Sequence, residues 1–100
     1  MKIFEKIYAI VSLVPKGKVL TYKKISDILN LRNPRIVGYA LHANKNPQKI
    51  PCHRVVKSDG TLACGYAFGG IKKQKEKLIK EGVSFLNNNT VDLNKSMRIV

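Results

Sequence analysis

Acidic residues are scarce in this chain of 100 residues. Six Asp and Glu stand against 19 Lys and Arg, which gives a net charge of +13. A compact chain tolerates such self-repulsion most readily when it binds a polyanion, and nucleic acid is the default candidate. The lysines are spread along the whole sequence, however, so the charge alone does not exclude a merely soluble, lysine-rich protein.

Cysteine and long apolar runs are also in short supply. A structural disulfide between Cys52 and Cys64 is not expected in a reducing compartment, and two thiols do not make a zinc site. No apolar run approaches the length of a membrane span. The first 14 residues carry three charged side chains where a signal peptide has an uninterrupted apolar centre. We therefore predict a cytoplasmic location, near the nucleoid, with no membrane association and no metal or other cofactor.

The length and the hydrophobic content of 44% predict one domain, 1–100, with a modest core. Apolar residues at helical spacing predict four helices, at 2–13, 22–29, 34–44 and 71–80. The last segment, 84–100, is weakly patterned and is predicted to be a loosely ordered tail.

Strand-like residues are few and lie in the middle of the chain. Residues 55–57 are apolar or extended, 58–60 form a turn signal, and 61–62 return, which predicts a small hairpin or wing. The fold class predicted from these elements is mainly α with a small β hairpin.

The second and third predicted helices, separated by a short turn, are typical of a helix-turn-helix, although many such helix pairs bind nothing. Thr21 is placed to cap the first helix of this pair. Gly38 lies in the middle of the second, at a cost near 1 kcal/mol relative to alanine. A glycine there permits close approach of another backbone, which is either the neighbouring helix or DNA.

The most reactive chemistry is expected around Cys52. An imidazole, His53, follows the thiol directly and can take its proton, directly or through a water. Pro51 fixes one backbone angle and pushes Ile50 towards an extended conformation, so the segment is expected to be a rigid elbow. By itself the Cys-His adjacency is weak evidence, because a buried and inert cysteine is the common case.

Several motifs in order resemble one family. Pro-Cys-His-Arg-Val at 51–55 resembles the active-site signature of the O6-alkylguanine-DNA alkyltransferases. Residues 14–22 resemble the segment that leads into the family's helix-turn-helix, and 35–41 resemble its recognition helix. Asn44, Gly65-Tyr66 and Glu81-Gly82 resemble further landmarks. The similarity extends over about 4–83 and implies a winged-helix-like helix-turn-helix bundle.

The resemblance implies a single-turnover repair reaction. Cys52 would take the alkyl group from O6 of guanine as a thioether, which consumes the protein. His53 would be the base, and a carboxylate would orient it, with Glu81 favoured and Glu76 as the alternative. Asn44 would tie the helix-turn-helix to the cysteine segment.

The resemblance also implies a partner, double-stranded DNA containing O6-alkylguanine. The recognition helix would enter the minor groove, and the target nucleotide would be flipped out of the stack. The residues expected at the DNA are Arg35, which would fill the gap, Tyr22, which would press on the 3′ phosphate, and also Gly38 and Thr21. Tyr66, Val55 and Pro51 would line the base pocket.

Two other functions stay open at this point, and so does the acceptance of O4-alkylthymine. Small alkyltransferase-like proteins bind alkylated DNA without repairing it, but they usually carry tryptophan where this chain has Cys52. A plain helix-turn-helix binder has no need of the cysteine. We expect a monomer, without the N-terminal domain that members of the family commonly carry.

Overall fold

A computed structural model describes residues 2–62 and 68–97. The five helices of this part are α1 (Ile3–Ser12), α2 (Tyr22–Ile28), α3 (Arg35–His42), α4 (Gly70–Lys80) and α5 (Leu93–Ser96). The strands are β1 (Leu20–Thr21), β2 (Val55–Val56), β3 (Phe85–Asn87) and β4 (Thr90–Val91), and a one-turn 3₁₀ helix covers Cys52–Arg54. The mainly helical class is confirmed, and each of the four predicted helices is present within two residues of its expected ends.

The helix-turn-helix consists of α2 and α3. The Thr21 hydroxyl accepts a hydrogen bond from the Lys24 amide at 3.0 Å, which starts α2. Asn30 takes a left-handed conformation, φ 54°, directly after the C-cap, and there the chain turns towards α3. Ile25 of α2 and Val37 of α3 are buried in the same apolar cluster, which fixes the angle between the helices.

The core has two apolar clusters joined by a short parallel sheet. The first holds the inner faces of α1, α2 and α3, and the second is covered by α4 and the C-terminal strands. Strand β1 pairs with β2, with Leu20 opposite Val55 and Thr21 opposite Val56. Leu20 and Val55 belong to the first cluster, and Val56 belongs to the second. This pairing sets the 3₁₀ turn with Cys52 at the junction of the helix-turn-helix and α4.

The predicted hairpin around 58–60 is not formed, although the turn is. The Lys57 amide donates to the Thr61 carbonyl at 2.9 Å, but β2 pairs with β1 and Thr61 bridges to Thr90. Among the described residues, β3 and β4 form an antiparallel hairpin, in the segment that was expected to be a loosely ordered tail. Val91 of this segment completes the second cluster, and Met97 bridges to Val19.

Two large apolar side chains of the helices lie at the surface. Ile79 is 54% exposed because it follows buried Leu78 directly and therefore lies about 100° around α4 from it. Ile28, in the last turn of α2, is 40% exposed. Across 2–62 and 68–97, the structure contains no helix with the length and apolarity that crossing a membrane would demand.

Candidate functional site

Cys52 is held at a tight bend, the cysteine turn (residues 50–54). Pro51 has φ −75° and ψ 72°, and the Cys52 amide donates to the Ile50 carbonyl at 2.7 Å, which is an inverse γ-turn. The Arg54 amide then donates to the Pro51 carbonyl at 2.9 Å and closes the 3₁₀ turn. Pro51 is buried and Cys52 is only 4% exposed. The structure therefore holds the thiol rigidly just under the surface, as the proline predicted.

Asn44 ties the end of α3 to the cysteine turn. Its side-chain nitrogen donates to the Ile50 carbonyl at 2.8 Å, and its oxygen accepts from the Asn46 amide at 2.9 Å. The C-cap of α3 is Ala43, so Asn44 lies one residue beyond the cap. Its side chain bonds the backbone of the following loop at Asn46 and the backbone of the cysteine turn at Ile50. A hydrogen bond from the same side chain also favours the thiolate of Cys52.

Replacing Asn44 by alanine should destabilise this connection. Two backbone groups that are paired through one buried side chain would lose their partner, and we expect the free energy of unfolding to fall by about 1–3 kcal/mol. Urea unfolding followed by circular dichroism measures it, with Asn33→Ala as the control, since Asn33 is exposed and its side chain accepts from the Arg35 amide. Equal losses in both variants would contradict the assigned role.

His53 contacts a carboxylate from the end of α4. Its Nε2 lies 3.0 Å from Oε1 of Glu81. Of the two acidic candidates, Glu81 is the one that makes this contact, since Glu76 is exposed and lies 3.6 Å from Lys73. A carboxylate only accepts, so Nε2 carries the proton of the neutral ring and Nδ1 is the acceptor. Nδ1 is buried and has no hydrogen-bond partner among the described residues, which makes it the atom that can take a proton.

Arg54 holds the same carboxylate from the other side. Its Nε donates to Oε1 of Glu81 at 3.0 Å, and its Nη2 donates to Oε2 at 2.6 Å. Its Nη1 donates to the Val14 carbonyl at 2.7 Å, which fixes the loop after α1. These contacts give Arg54 a supporting role at the cysteine turn.

Gln74 is a site residue that the sequence reasoning missed. It is 1% exposed, and its side-chain nitrogen donates to the carbonyls of His53 and Val55, both at 3.1 Å. It therefore connects α4 to the backbone of the cysteine turn. The available signal was its position: Gln74 falls in the buried stripe of α4, between Ile71 and Leu78, where an amide needs a polar partner.

Burial keeps both the thiol and the imidazole neutral at rest. It raises the pKa of Cys52, against the opposing effects of the Asn44 hydrogen bond and the Lys77 charge. It lowers the pKa of His53, and the contact with Glu81 only partly restores it. Burial also raises the pKa of Tyr22 to about 12, and Cys52 adds to this effect when its thiol is ionised. Tyr22 is thus a neutral phenol close to the thiol.

The lowered pKa of His53 predicts a stability change in mild acid. As the pH falls below about 6.5, unfolded chains bind a proton at this histidine while the folded chain does not, so stability falls. Urea unfolding at a series of pH values between about 7.5 and 5 measures the slope. His53→Gln should flatten this slope, whereas His42→Gln, an exposed histidine on α3, should not. Equal slopes in the two variants would contradict the burial effect.

Some of the residues expected at DNA lie on the outward face of α3, whereas Thr21 is buried. Arg35, Gly38, Tyr39 and His42 lie on one outward face of α3, and a Cβ on Gly38 would meet nothing within 4 Å. The interpretation that Gly38 allows close packing against the neighbouring helix is therefore wrong. Thr21 is 5% exposed, and its hydroxyl caps α2, so its side chain stabilises the start of that helix.

The predicted pocket residues are placed only in part. Val55 and Pro51 are buried beside Cys52, whereas Tyr66 lies outside the described residues. Within the described ranges, no three His, Cys, Asp or Glu side chains are grouped so that they could hold a metal ion.

Fold and site together define a helix-turn-helix domain in which a buried thiol adjoins an imidazole–carboxylate pair. The chain belongs to the 6-O-methylguanine DNA methyltransferase family, because the family model for the DNA-binding domain matches residues 2–83. The predicted family is thereby confirmed.

Two curated relatives illustrate the match. The chain is 43% identical over 79 residues to the methylated-DNA–protein-cysteine methyltransferase of Methanothermobacter thermautotrophicus, covering 79% of this chain and 43% of that protein. It is 40% identical over 87 residues to the protein of the same name from Candida glabrata, covering 86% of this chain and 41% of that one. The chain therefore spans less than half the length of these relatives.

Solved structures show the same fold. The S. pombe protein Atl1, in complex with damaged DNA containing O6-carboxymethylguanine, superposes with a TM-score of 0.86 at 29% identity and covers all of both chains. The O6-methylguanine-DNA methyltransferase of Pyrococcus kodakaraensis superposes with a TM-score of 0.69 at 38% identity, covering 83% of this chain and 47% of the other.

Proposed function

We propose that this chain repairs alkylated DNA by transferring the alkyl group from O6-alkylguanine to Cys52 in a single turnover. The observation that carries the proposal is the contact of His53 Nε2 with Glu81, which leaves the buried Nδ1 as the proton acceptor for the thiol. A helix-turn-helix binder without chemistry has no use for this arrangement. The names of the curated relatives support the same reaction.

The reaction uses only groups of the protein and of the DNA. The Cys52 proton passes to His53 Nδ1, directly or through a water, and Glu81 stabilises the charged ring. The thiolate attacks the alkyl carbon, so that an S–C bond forms as the C–O6 bond breaks. The electron pair stays on the base, which takes up a proton and becomes guanine, while His53 gives up the proton that it received from Cys52, so the protons balance. The thioether is permanent, and the protein is consumed.

DNA binding is proposed to use the outward face of α3 in the minor groove. The chain carries +13, and binding should therefore weaken steeply with salt and depend little on sequence. O6 lies on the major-groove edge of the base pair, away from the proposed minor-groove contact, and the thiol is buried, so the nucleotide must be flipped out. Arg35, exposed at the start of α3, would fill the gap, and Tyr22, near Cys52, would press on the phosphate. We propose that the protein acts as a cytoplasmic monomer.

Intact mass after incubation with a duplex holding one O6-methylguanine tests the proposal. We expect a stoichiometric gain of one methylene, mapped to Cys52 by peptide analysis. Cys64→Ser should react like the wild type, whereas Cys52→Ser should show no gain. Methyl transfer to another residue, or none at all with a folded protein, would overturn the proposed reaction.

The second candidate is a protein that binds the lesion without removing it. The observation in its favour is the match to Atl1 over the full length of both chains, since that protein was solved with a damaged base present in its DNA. Tight binding to O6-methylguanine DNA, with no change in mass over many hours, would establish this function. Cys52 is the feature that favours transfer instead.

A further inference from the structure

A basic pocket opens behind the His53–Glu81 pair. It has a volume of about 400 Å³ and is lined by Lys16, Lys77 and Lys80 together with His53 and Glu81. Lys16 comes from the loop after α1, and the other two lysines come from the last turn of α4. The size is within the usual range of small-ligand sites, about 300–1,000 Å³.

The pocket carries excess positive charge. Glu81 is its acidic member, but both of its oxygens are already engaged by Arg54 and one of them by His53. Among the described residues, neither Lys16 nor Lys80 forms an ion pair. Their charges are therefore not compensated inside the pocket by Glu81.

The end of α4 does not oppose an anion as strongly as an open helix end would. The Glu81 amide donates to the Lys77 carbonyl, and the Val83 amide donates to the Leu78 carbonyl at 3.0 Å. These bonds satisfy carbonyls that would otherwise point out with partial negative charge. Among the charged groups that line the pocket, three lysines therefore stand against one carboxylate.

The wall that carries Lys16 is fixed in place. Gly17 has φ +85°, and a Cβ there would lie 3.3 Å from the Glu81 carbonyl oxygen, so this loop lies against the end of α4. Two residues before Lys16, the Val14 carbonyl accepts from Arg54 at 2.7 Å. The loop is therefore anchored on both sides of Lys16, and the pocket is preformed.

We propose that this pocket binds a phosphate group through Lys16 and Lys80. The ligand is either a free phosphate-type anion or a phosphate of the DNA backbone, since both present the same oxygens to the two ammonium groups. The site goes beyond the proposed function and does not depend on alkyl transfer. Its occupation would be felt at the reacting groups, because the Lys77 charge acts on both Cys52 and His53 and a bound anion would offset it.

Titration with inorganic phosphate at constant ionic strength tests the site, with amide shifts as the readout. We expect saturable shifts centred on Lys16, Glu81 and His53. Lys16→Gln combined with Lys80→Gln should weaken the apparent affinity at least tenfold. The matched control is a second double variant, Lys72→Gln with Lys23→Gln, which removes the same charge at exposed positions outside the pocket. A response that does not saturate, or equal weakening in both double variants, would overturn the proposal.

An undamaged duplex then distinguishes the two sources of phosphate. Displacement of inorganic phosphate from Lys16 and Lys80 by the duplex would identify the backbone as the occupant. Saturable phosphate binding that persists on the DNA complex would identify a free anion. Neither readout involves methyl transfer, so a failure of the pocket and a failure of the proposed repair reaction are separately visible.

Discussion

Replacement of Glu81 by glutamine is expected to lower the free energy of unfolding by about 3 kcal/mol and to slow alkylation of Cys52 strongly. The carboxylate compensates Arg54, whose side chain is mostly buried, and breaking one partner of such a pair leaves an uncompensated charge. The figure is at the lower end of the range for buried pairs because the glutamine oxygen still accepts one hydrogen bond. The same change removes the negative charge that stabilises protonated His53.

Glu76→Gln is the matched control for this prediction. Glu76 lies on the same helix and is the other acidic candidate, but it is exposed and faces Lys73 at 3.6 Å. Its loss should change stability by less than about 0.5 kcal/mol, as is usual for a surface pair. Urea unfolding and the rate of methyl transfer to Cys52 measure the two effects. Similar losses in the two variants would show that Glu81 has no special role.

Replacement of Arg54 by methionine is expected to cost about 3 kcal/mol of stability and to raise the pKa of His53. Methionine fills a similar volume, but Glu81 loses both of its guanidinium bonds and Val14 loses its donor. The Arg54 charge disfavours the charged form of His53, so its removal makes the ring a stronger base. Titration of the His53 ring by NMR measures this shift directly.

A double-mutant cycle separates the ion pair from simple packing. Arg54→Met combined with Glu81→Gln removes both charges, so the double variant should be more stable than the sum of the two single losses predicts, by about 1–3 kcal/mol. Arg54→Lys keeps the charge but loses the fork geometry, and should fall between wild type and Arg54→Met. Strict additivity would contradict a direct pair.

The family could be predicted from the sequence, and candidate reacting residues could be named, because these signals are local. Pro51 acts on its own backbone, and it produced the bend that presents Cys52. The four main helices followed from apolar spacing, which acts over single turns. The cap at Thr21 likewise depends on residues only three positions apart.

Local signals of this kind do not predict which distant segments of the chain will contact each other. Strand β2 pairs with β1 and not with residues 61–62. This pairing places Leu20 opposite Val55, and these two residues are 35 positions apart in the sequence. The order of 84–97 depends in the same way on Val91 and on the bridge from Met97 to Val19. A weakly patterned segment gave no sign of these contacts.

By itself, the sequence identified the groups proposed to react: a thiol, an adjacent imidazole and one of two nearby carboxylates. The tertiary structure decided that the carboxylate is Glu81, which Arg54 and His53 share, and it added Gln74, whose amide holds the cysteine turn from α4. The physical reason is distance along the chain. These partners lie 21 to 28 residues apart, and only the packing of α4 onto the parallel sheet brings them within hydrogen-bonding reach.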